Sequence, residues 1–250
     1  MARAGRSNLR VRAAHGLYRF ATRVHWAEPE LLGLGGLVRT GDEVIDVGAA
    51  LGMYTVPLAD LVGRSGRVSS FEPQRRGLWA VRLLRGITGP HRGQVSRIAL
   101  GPRPGTSTIV VPYHRGFPIF GHGHVAEGAD GESGRQHRSR APMSTIDSWC
   151  HERAVTGVSF IKVDVEGFEP AVIEGARATI DRDRPSLLLE IEDRHLARYG
   201  RTAAGFVDEL LERWPDYRIY TWADGDWART SAIVPEVRNY LFATDRAFAR

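Results

Sequence analysis

Glu43-Val44-Ile45-Asp46-Val47-Gly48-Ala49-Ala50-Leu51-Gly52 is the stretch on which the fold turns. Five residues of mainly β-branched character predict a short buried strand. The chain then passes through a glycine-bounded turn into a helix beginning near Met53. Gly48 lets the backbone turn tightly at the strand's carboxyl end, and Gly52 lets the helix lie close to both sheet and ligand. Ala49, Ala50 and Leu51 fill the turn between them, and Tyr54 follows in the helix. The next strand, Gly66 to Phe71, delivers Glu72 to the same sheet edge, with Pro73 behind it. A carboxylate there accepts bonds from both hydroxyls of a ribose, so a ribose-bearing cofactor is expected.

The turn also discriminates among such cofactors. A dinucleotide fingerprint needs three glycines in the order Gly-x-Gly-x-x-Gly to seat a pyrophosphate on helix amides, and here the middle one is Ala50. Asp46 is expected to point its charge toward the turn, repelling a pyrophosphate and suiting the sulfonium of S-adenosylmethionine. An Asp-x-Gly-x-x-x-Gly turn also occurs as a purely structural βα turn. The spaced Glu72 argues for the cofactor reading, and Ala99, at the end of a third strand, is expected on the same edge.

Four blocks then occur in order: Asp46 to Tyr54, Phe71-Glu72-Pro73, Thr145-Ile146-Asp147, and Phe160-Ile161-Lys162-Val163-Asp164-Val165-Glu166-Gly167-Phe168-Glu169. Together they resemble the FkbM family of S-adenosylmethionine-dependent methyltransferases over roughly residues 43 to 192. The Lys-x-Asp-x-Glu-Gly-x-Glu block is the most specific. The resemblance implies an α/β, Rossmann-like class I methyltransferase with a seven-stranded, mostly parallel sheet, helices on both faces and an antiparallel last strand. It also implies O-methylation. One departure stands out: Ala50 occupies a position where family members commonly have Asn, which removes a side-chain amide from the cofactor turn.

A chain of 250 residues with 42% hydrophobic content can bury a full core as one α/β domain. The expected organisation is an N-terminal helical cap over residues 1–40 and a methyltransferase domain over 41–250. No stretch reaches the roughly 20 apolar residues of a spanning helix, and the Arg-studded start lacks the apolar core of a secretory signal. A soluble, cytoplasmic protein without a membrane partner is expected. The single Cys150 supports neither an internal disulfide nor a zinc framework. The net charge of +5 invites a nucleic-acid reading, but Arg is interleaved with acids along the chain, and the only lysine is Lys162. Neither basic stretch, Met1 to Arg12 or Arg135 to Arg140, has the interleaved aromatics of a base-stacking surface.

Leu9, Ala13, Gly16, Leu17, Phe20 and Val24 recur at helical spacing, predicting a capping helix over Ser7 to His25. Strands are expected near 43–47, 67–72, 94–99, 158–164, 186–192, 217–222 and 239–244, and helices near 53–62, 74–85, 168–178 and 201–213. Thr106 to Val111 reads as an additional edge strand. The Gly-, His-, Arg- and Ser-rich segment 112–142 reads as a flexible loop or lid, in which Tyr113, Phe117, Ile119 and Phe120 are candidate acceptor contacts. His122 and His124 resemble a metal pair but lack a neighbouring carboxylate.

Methyl transfer needs nucleophile, methyl and departing sulfur in line, with water excluded, and a hydroxyl acceptor gains from a base that takes its proton. Asp164, Glu166 and His195 are the candidates that strand order places at the sheet's carboxyl edge. Asp164 and Glu166 each have a structural alternative. Asp164, Glu190 or Glu192 is a partner for a buried Lys162, and an acid before a helix stabilises its positive end. The trio Asp164, Glu190 and Glu192 is also a possible Mg²⁺ site, leaving metal dependence open. The resulting expectation is an S-adenosylmethionine-dependent O-methyltransferase acting on a hydroxyl of a small molecule, a sugar or a secondary metabolite. Its rivals are a non-catalytic cofactor-binding or RNA-associated protein, and a nicotinamide-dependent oxidoreductase disfavoured by Ala50 and Asp46.

Overall fold

The computed structural model describes Gly16 and residues 28–75, 94–114, 117–118, 123–126 and 136–249. The predicted helices over Ser7 to His25 and 74–85 lie outside these residues, apart from Gly16 and the first two positions of the second.

The quoted stretch forms the centre of the sheet. Strand β1 (Glu43–Val47) pairs in parallel with β2 (Arg67–Phe71) on one side and β9 (Val158–Val163) on the other. Outward from these lie β3 (Gln94–Ser96), β10 (Ser186–Glu190), β13 (Asn239–Ala243), β11 (Arg218–Ala223) and β12 (Asp226–Thr230), in the order β12-β11-β13-β10-β9-β1-β2-β3. Six strands point one way, and β12 and β13 the other, so the expected antiparallel last strand is present.

The sheet has eight strands rather than the expected seven. The extra one, β12, is the return arm of a hairpin whose two-residue turn, Asp224-Gly225, has φ of 52° and 84°. That is the Asp-Gly turn whose twist matches a β-hairpin, and it stands in the sequence as a legible but overlooked signal.

Period-two alternation splits the sheet's side chains between two cores. Ile45, Val47, Ile161, Val163, Leu187 and Leu189 face one side. There they meet α2 (Ile146–Glu152), α4 (Arg177–Asp183) and α6 (Ala203–Arg213) through Ile146, Trp149, Ile180, Phe206 and Leu210. Val44, Phe160, Leu188 and Leu241 face the other side, against Leu58 and Val62 of α1 (Thr55–Val62) and Leu31 and Leu34 of two 3-10 turns. Helices therefore cover both faces, as a sheet that is apolar on both sides requires. The Thr145-Ile146-Asp147 block is structural: Thr145 caps α2 by accepting from Ser148 N, and Asp147 accepts from the amides of Ala178 and Thr179 at the start of α4.

The reading of 112–142 as a loop fails at both ends. The expected edge strand is longer than Thr106 to Val111, running as β5 (Gly105–His114), and it pairs antiparallel over eight positions with β8 (Gln136–Ser144). With β4 (Ala99–Leu100), β6 (Phe117–Pro118) and β7 (His124–Val125) these make a second, five-stranded sheet. The exposed residues of β8, His137, Arg138 and Arg140, gave it a loop-like composition. A strand with one solvated face carries few apolar residues. The expected third strand, 94–99, is split because Ala99 leaves the main sheet for this second one.

Candidate active site

The carboxyl ends of β1, β2, β9 and β10 open into a crevice of about 280 Å³, walled on the far side by the second sheet. Another groove, of about 310 Å³, lies between α6 and α3 (Glu169–Glu174), away from those strand ends.

The turn after β1 is shaped by contact as much as by flexibility. Gly48 has φ of 82°, and a β-carbon there would lie 1.8 Å from the carbonyl oxygen of Asp164. Only glycine fits where two strand ends converge so closely. The amides of Gly48 and Ala49 both donate to Phe71 O, fastening the turn to β2. Ala50 adopts φ of 41° and its amide donates to Glu72 Oε2 at 2.9 Å, while Gln74 N donates to Glu72 Oε1 at 2.7 Å. Glu72 is thus clamped by two amides, with its other lone pairs available to the crevice that it lines. Burial pushes its carboxyl up to about 7 against the pull of those amides.

The predicted cofactor residues divide. Gly48, Ala50, Glu72, Pro73 and Ala99 line the crevice. Ala49 packs on Val95, Leu51 projects into solvent, and Gly52, with φ of 86°, closes the turn by donating to Ala49 O. Asp46, expected to face the turn, lies beneath it instead. Its carboxylate accepts from Thr55 Oγ1, which also contacts Ser70 Oγ, and burial raises its pKa to about 6. The alternation of β1 sends residue 46 to the α1 face, so it ties helix to sheet. Tyr54 is buried with its hydroxyl donating to Glu28 Oε2 and its ring 4.9 Å from Lys162 Nζ.

Each polar member of the Lys162-to-Glu169 block has a definite place. Lys162 is fully buried; its Nζ donates to Asn239 Oδ1 at 2.8 Å and lies 3.6 Å from Asp164 Oδ2. Burial opposes its charge, but Asp164, Glu28, Glu190 and Glu30 outweigh that and hold its pKa above the ordinary lysine value. Asp164 and Glu166 line the crevice. Glu166 takes φ of 59°, and Gly167, with φ of 99°, passes so near His195 that a β-carbon would meet its carbonyl at 2.4 Å. Glu169 accepts from the amides of Val165 and Gly167, bracing the turn. Burial, reinforced by Asp164, raises Glu166 to about 7, and the same two causes take Glu169 to a similar value against the amides that donate to it.

The three predicted catalytic residues come together. His195, in α5 (Asp193–Leu196), places Nε2 3.2 Å from Glu166 Oε2 and Nδ1 3.9 Å from Glu190 Oε2. Among the described lining residues are Asp164, Glu166 and Glu190, while His195 stands behind the latter two. Glu192 pairs with Arg194 and with Arg238, and among the described residues the Asp164–Glu190–Glu192 trio does not assemble as one site.

Sequence reasoning missed Glu28, Gln74, Ile109, Val125 and Arg238, which also line the crevice. Gln74 adjoins Glu72-Pro73 and could have been found there. Glu28 and Arg238 arrive from opposite ends of the chain with no local motif. Of the predicted acceptor contacts, Tyr113 is half-buried in β5, Phe117 belongs to β6, and Ile119 and Phe120 lie outside the described residues, as does His122. His124 is buried in β7. No helix among the described residues is long and apolar enough to cross a membrane.

The chain is similar to the crystal structure of an FkbM methyltransferase from Methylobacillus flagellatus, with 22% identity over 83% of this chain and a TM-score of 0.50. The match spans only 45% of that protein's length. An O-methyltransferase from Bacillus cereus, crystallised with S-adenosylhomocysteine, shares 12% identity over 95% of this chain and 90% of its own, at a TM-score of 0.48. Fibrillarin from Aeropyrum pernix, with natively bound S-adenosylmethionine, shares 13% over 86% and 73%, at 0.46. At such identities the likeness to the Methylobacillus structure is one of fold. No curated protein matches the sequence. The model of the methyltransferase FkbM domain, however, matches residues 46–219, a span that begins at the acid under the turn and carries Glu72 and the whole Lys162-to-Glu169 block. The chain belongs to the FkbM methyltransferase family.

Proposed function

We propose that the protein transfers the methyl group of S-adenosylmethionine to a hydroxyl oxygen of a small molecule, a sugar or a secondary metabolite. The observation that carries this reading is Glu72, clamped by the Ala50 and Gln74 amides at 2.9 and 2.7 Å with its remaining lone pairs at the crevice. That is the geometry of a ribose acceptor, and Gly48 and Ala50 leave the space beside it clear of side chains. The crevice, at about 280 Å³, is on the scale of a small-molecule site rather than of a nucleic-acid duplex. Asp164, held by Lys162, orients the acceptor hydroxyl and takes its proton as the oxygen attacks the methyl carbon and the carbon–sulfur bond breaks. The apolar wall of Ile109, Val125 and Leu100 excludes water from that line of attack. A cytoplasmic site of action belongs to the same proposal, because that is where the methyl donor is available.

Calorimetric titration with S-adenosylmethionine and S-adenosylhomocysteine tests the reading. Glu72→Ala is expected to weaken both on the order of 100-fold by deleting the acceptor of two charge-assisted bonds. Glu72→Gln, which keeps the shape, should lose less. Parent-like affinity in Glu72→Ala overturns the assignment.

A further inference from the structure

We infer that Glu166, Glu190 and His195 form a binding site for a divalent transition-metal cation on the acceptor side of the crevice. The three residues come from the turn after β9, the end of β10 and α5, so the sheet order and not a local motif assembles them. All are buried, and one ligand atom from each lies within 4.8 Å of the others. Two ligands each about 2.1 Å from one ion sit roughly 3.0 Å apart in an octahedral cis arrangement and roughly 3.4 Å apart in a tetrahedral one. The 3.2 Å between His195 Nε2 and Glu166 Oε2 falls inside that window. The 4.8 Å that bounds every separation is only a few tenths of an ångström above the roughly 4.2 Å that one ion spans across its diameter, so the side chains need move little to share it.

Glu190 supplies the second, independent observation. It is 6% exposed, it lines the crevice, and its Oε2 receives no hydrogen bond. The nitrogen recorded beside that oxygen, His195 Nδ1, is 3.9 Å away, and Arg238 Nη1 is equally far from Oε1. An ordinary His195–Glu166 hydrogen bond accounts for Glu166 and leaves Glu190 with the neighbouring Asp164 carboxyl, a contact that repels when both are ionised. A cation between the three groups answers it. The positive charge of Lys162 does not fill the role, because its ammonium is committed to Asn239 and Asp164.

An imidazole beside two carboxylates suits Zn²⁺, Mn²⁺ or Co²⁺ better than Mg²⁺, which prefers oxygen and water. Three protein ligands with one side toward a crevice leave an open position, where an acceptor hydroxyl oxygen can bind. Only this use of the ion rests on the methyltransferase reading; the site itself does not.

The full chain, free of methyl donor, should bind one Mn²⁺ or Zn²⁺ per molecule by calorimetry, with Mg²⁺ at least about 10-fold weaker. Glu190→Gln and His195→Ala should each weaken Mn²⁺ on the order of 100-fold while thermal unfolding without metal stays cooperative. Bound Mn²⁺ in the parent should show imidazole nitrogen coupling by electron paramagnetic resonance, a readout that survives should either variant fail to fold. Absence of one-to-one binding, binding unchanged in both variants, or Mn²⁺ without nitrogen coupling overturns the site. Metal binding without S-adenosylmethionine binding would overturn the methyltransferase reading and leave this site standing; the reverse would overturn this site alone.

Discussion

The two walls of the crevice are built in opposite ways. The strand-end wall, from β1, β2, β9 and β10, presents Glu72, Asp164, Glu166 and Glu190, and its backbone turns through positive φ at Gly48, Ala50, Gly52, Glu166 and Gly167. The opposing wall, from β4, β5 and β7, presents Leu100, Ile109 and Val125, and among the described residues of the second sheet none has positive φ. One wall concentrates charge and backbone strain, and the other supplies relaxed, apolar shape. Strain and buried charge persist only where surrounding structure over-determines them. Here that structure is a parallel sheet packed on both faces, so the polar chemistry sits where the scaffold is stiffest.

Gly48→Ala attacks this contrast most directly. The new β-carbon would overlap the Asp164 carbonyl and force an alanine to φ of 82°, so β1 and β9 must separate at the end that carries the site. A loss of at least about 3 kcal/mol is expected, read as a lowered denaturation midpoint, together with loss of S-adenosylmethionine binding. Wild-type stability in this variant would show that the strand-end wall is as relaxed as its opposite.

The charge half of the contrast predicts a pH dependence. Burial raises Glu72 and Glu166 of this wall, and Glu43 and Glu169 outside it, to about 7, Asp46 beneath the turn to about 6 and Glu190 to about 10 in the folded chain. Between their unfolded values, near 4, and these folded values the native state holds more protons than the unfolded state. Stability therefore falls as pH rises through that window, and Glu190 extends the fall above about 7.5 toward its own higher value. Asp181 and Asp183 are shifted the other way by their hydrogen bonds and ion pairs, and their effect is confined to pH below about 4. The ligand-free protein should melt several degrees lower at pH 8 than at pH 5 at constant ionic strength. Equal melting temperatures would mean that solvent reaches these carboxylates and that the wall is not dry.

The same contrast explains what could be read from sequence. Glu43 to Gly52, Glu72 and the Lys162-to-Glu169 block were legible because parallel strands buried on both faces are continuous apolar runs, broken only where the backbone must bend or bind. The second sheet was not: β8 carries Arg138 and Arg140 on a solvated face and exposes His137 near its start, so composition resembled a loop although the pairing with β5 is long. Asp46 was legible as an acid at a strand end but not in direction, because whether residue 46 faces the crevice or α1 depends on register. Glu190 was legible as an acid at this edge, but Glu28 and Arg238 join it at the crevice through the tertiary fold, which no local window contains.

The smallest test lies at Ala50, where strain and cofactor contact coincide in one residue. A non-glycine residue in the left-handed region costs about 1–2 kcal/mol, yet Ala50 holds φ of 41° because its amide must reach Glu72. Ala50→Gly removes that cost but gives the unfolded chain about 0.4–1 kcal/mol of extra entropy, so a net gain of about 0.5 kcal/mol is expected, a rise of one or two degrees in Tm. Ala50→Asn should gain a similar amount by tolerating the same φ, and its amide adds a hydrogen-bond donor at the crevice, tightening S-adenosylmethionine a few-fold by calorimetry. If Gly gains stability and Asn gains affinity as well, the two effects separate: φ sets the strain, and the amide sets the contact. A loss of stability in both variants would mean that the β-carbon of Ala50 packs usefully, and that this turn, unlike the Gly48 junction beside it, carries no strain to relieve.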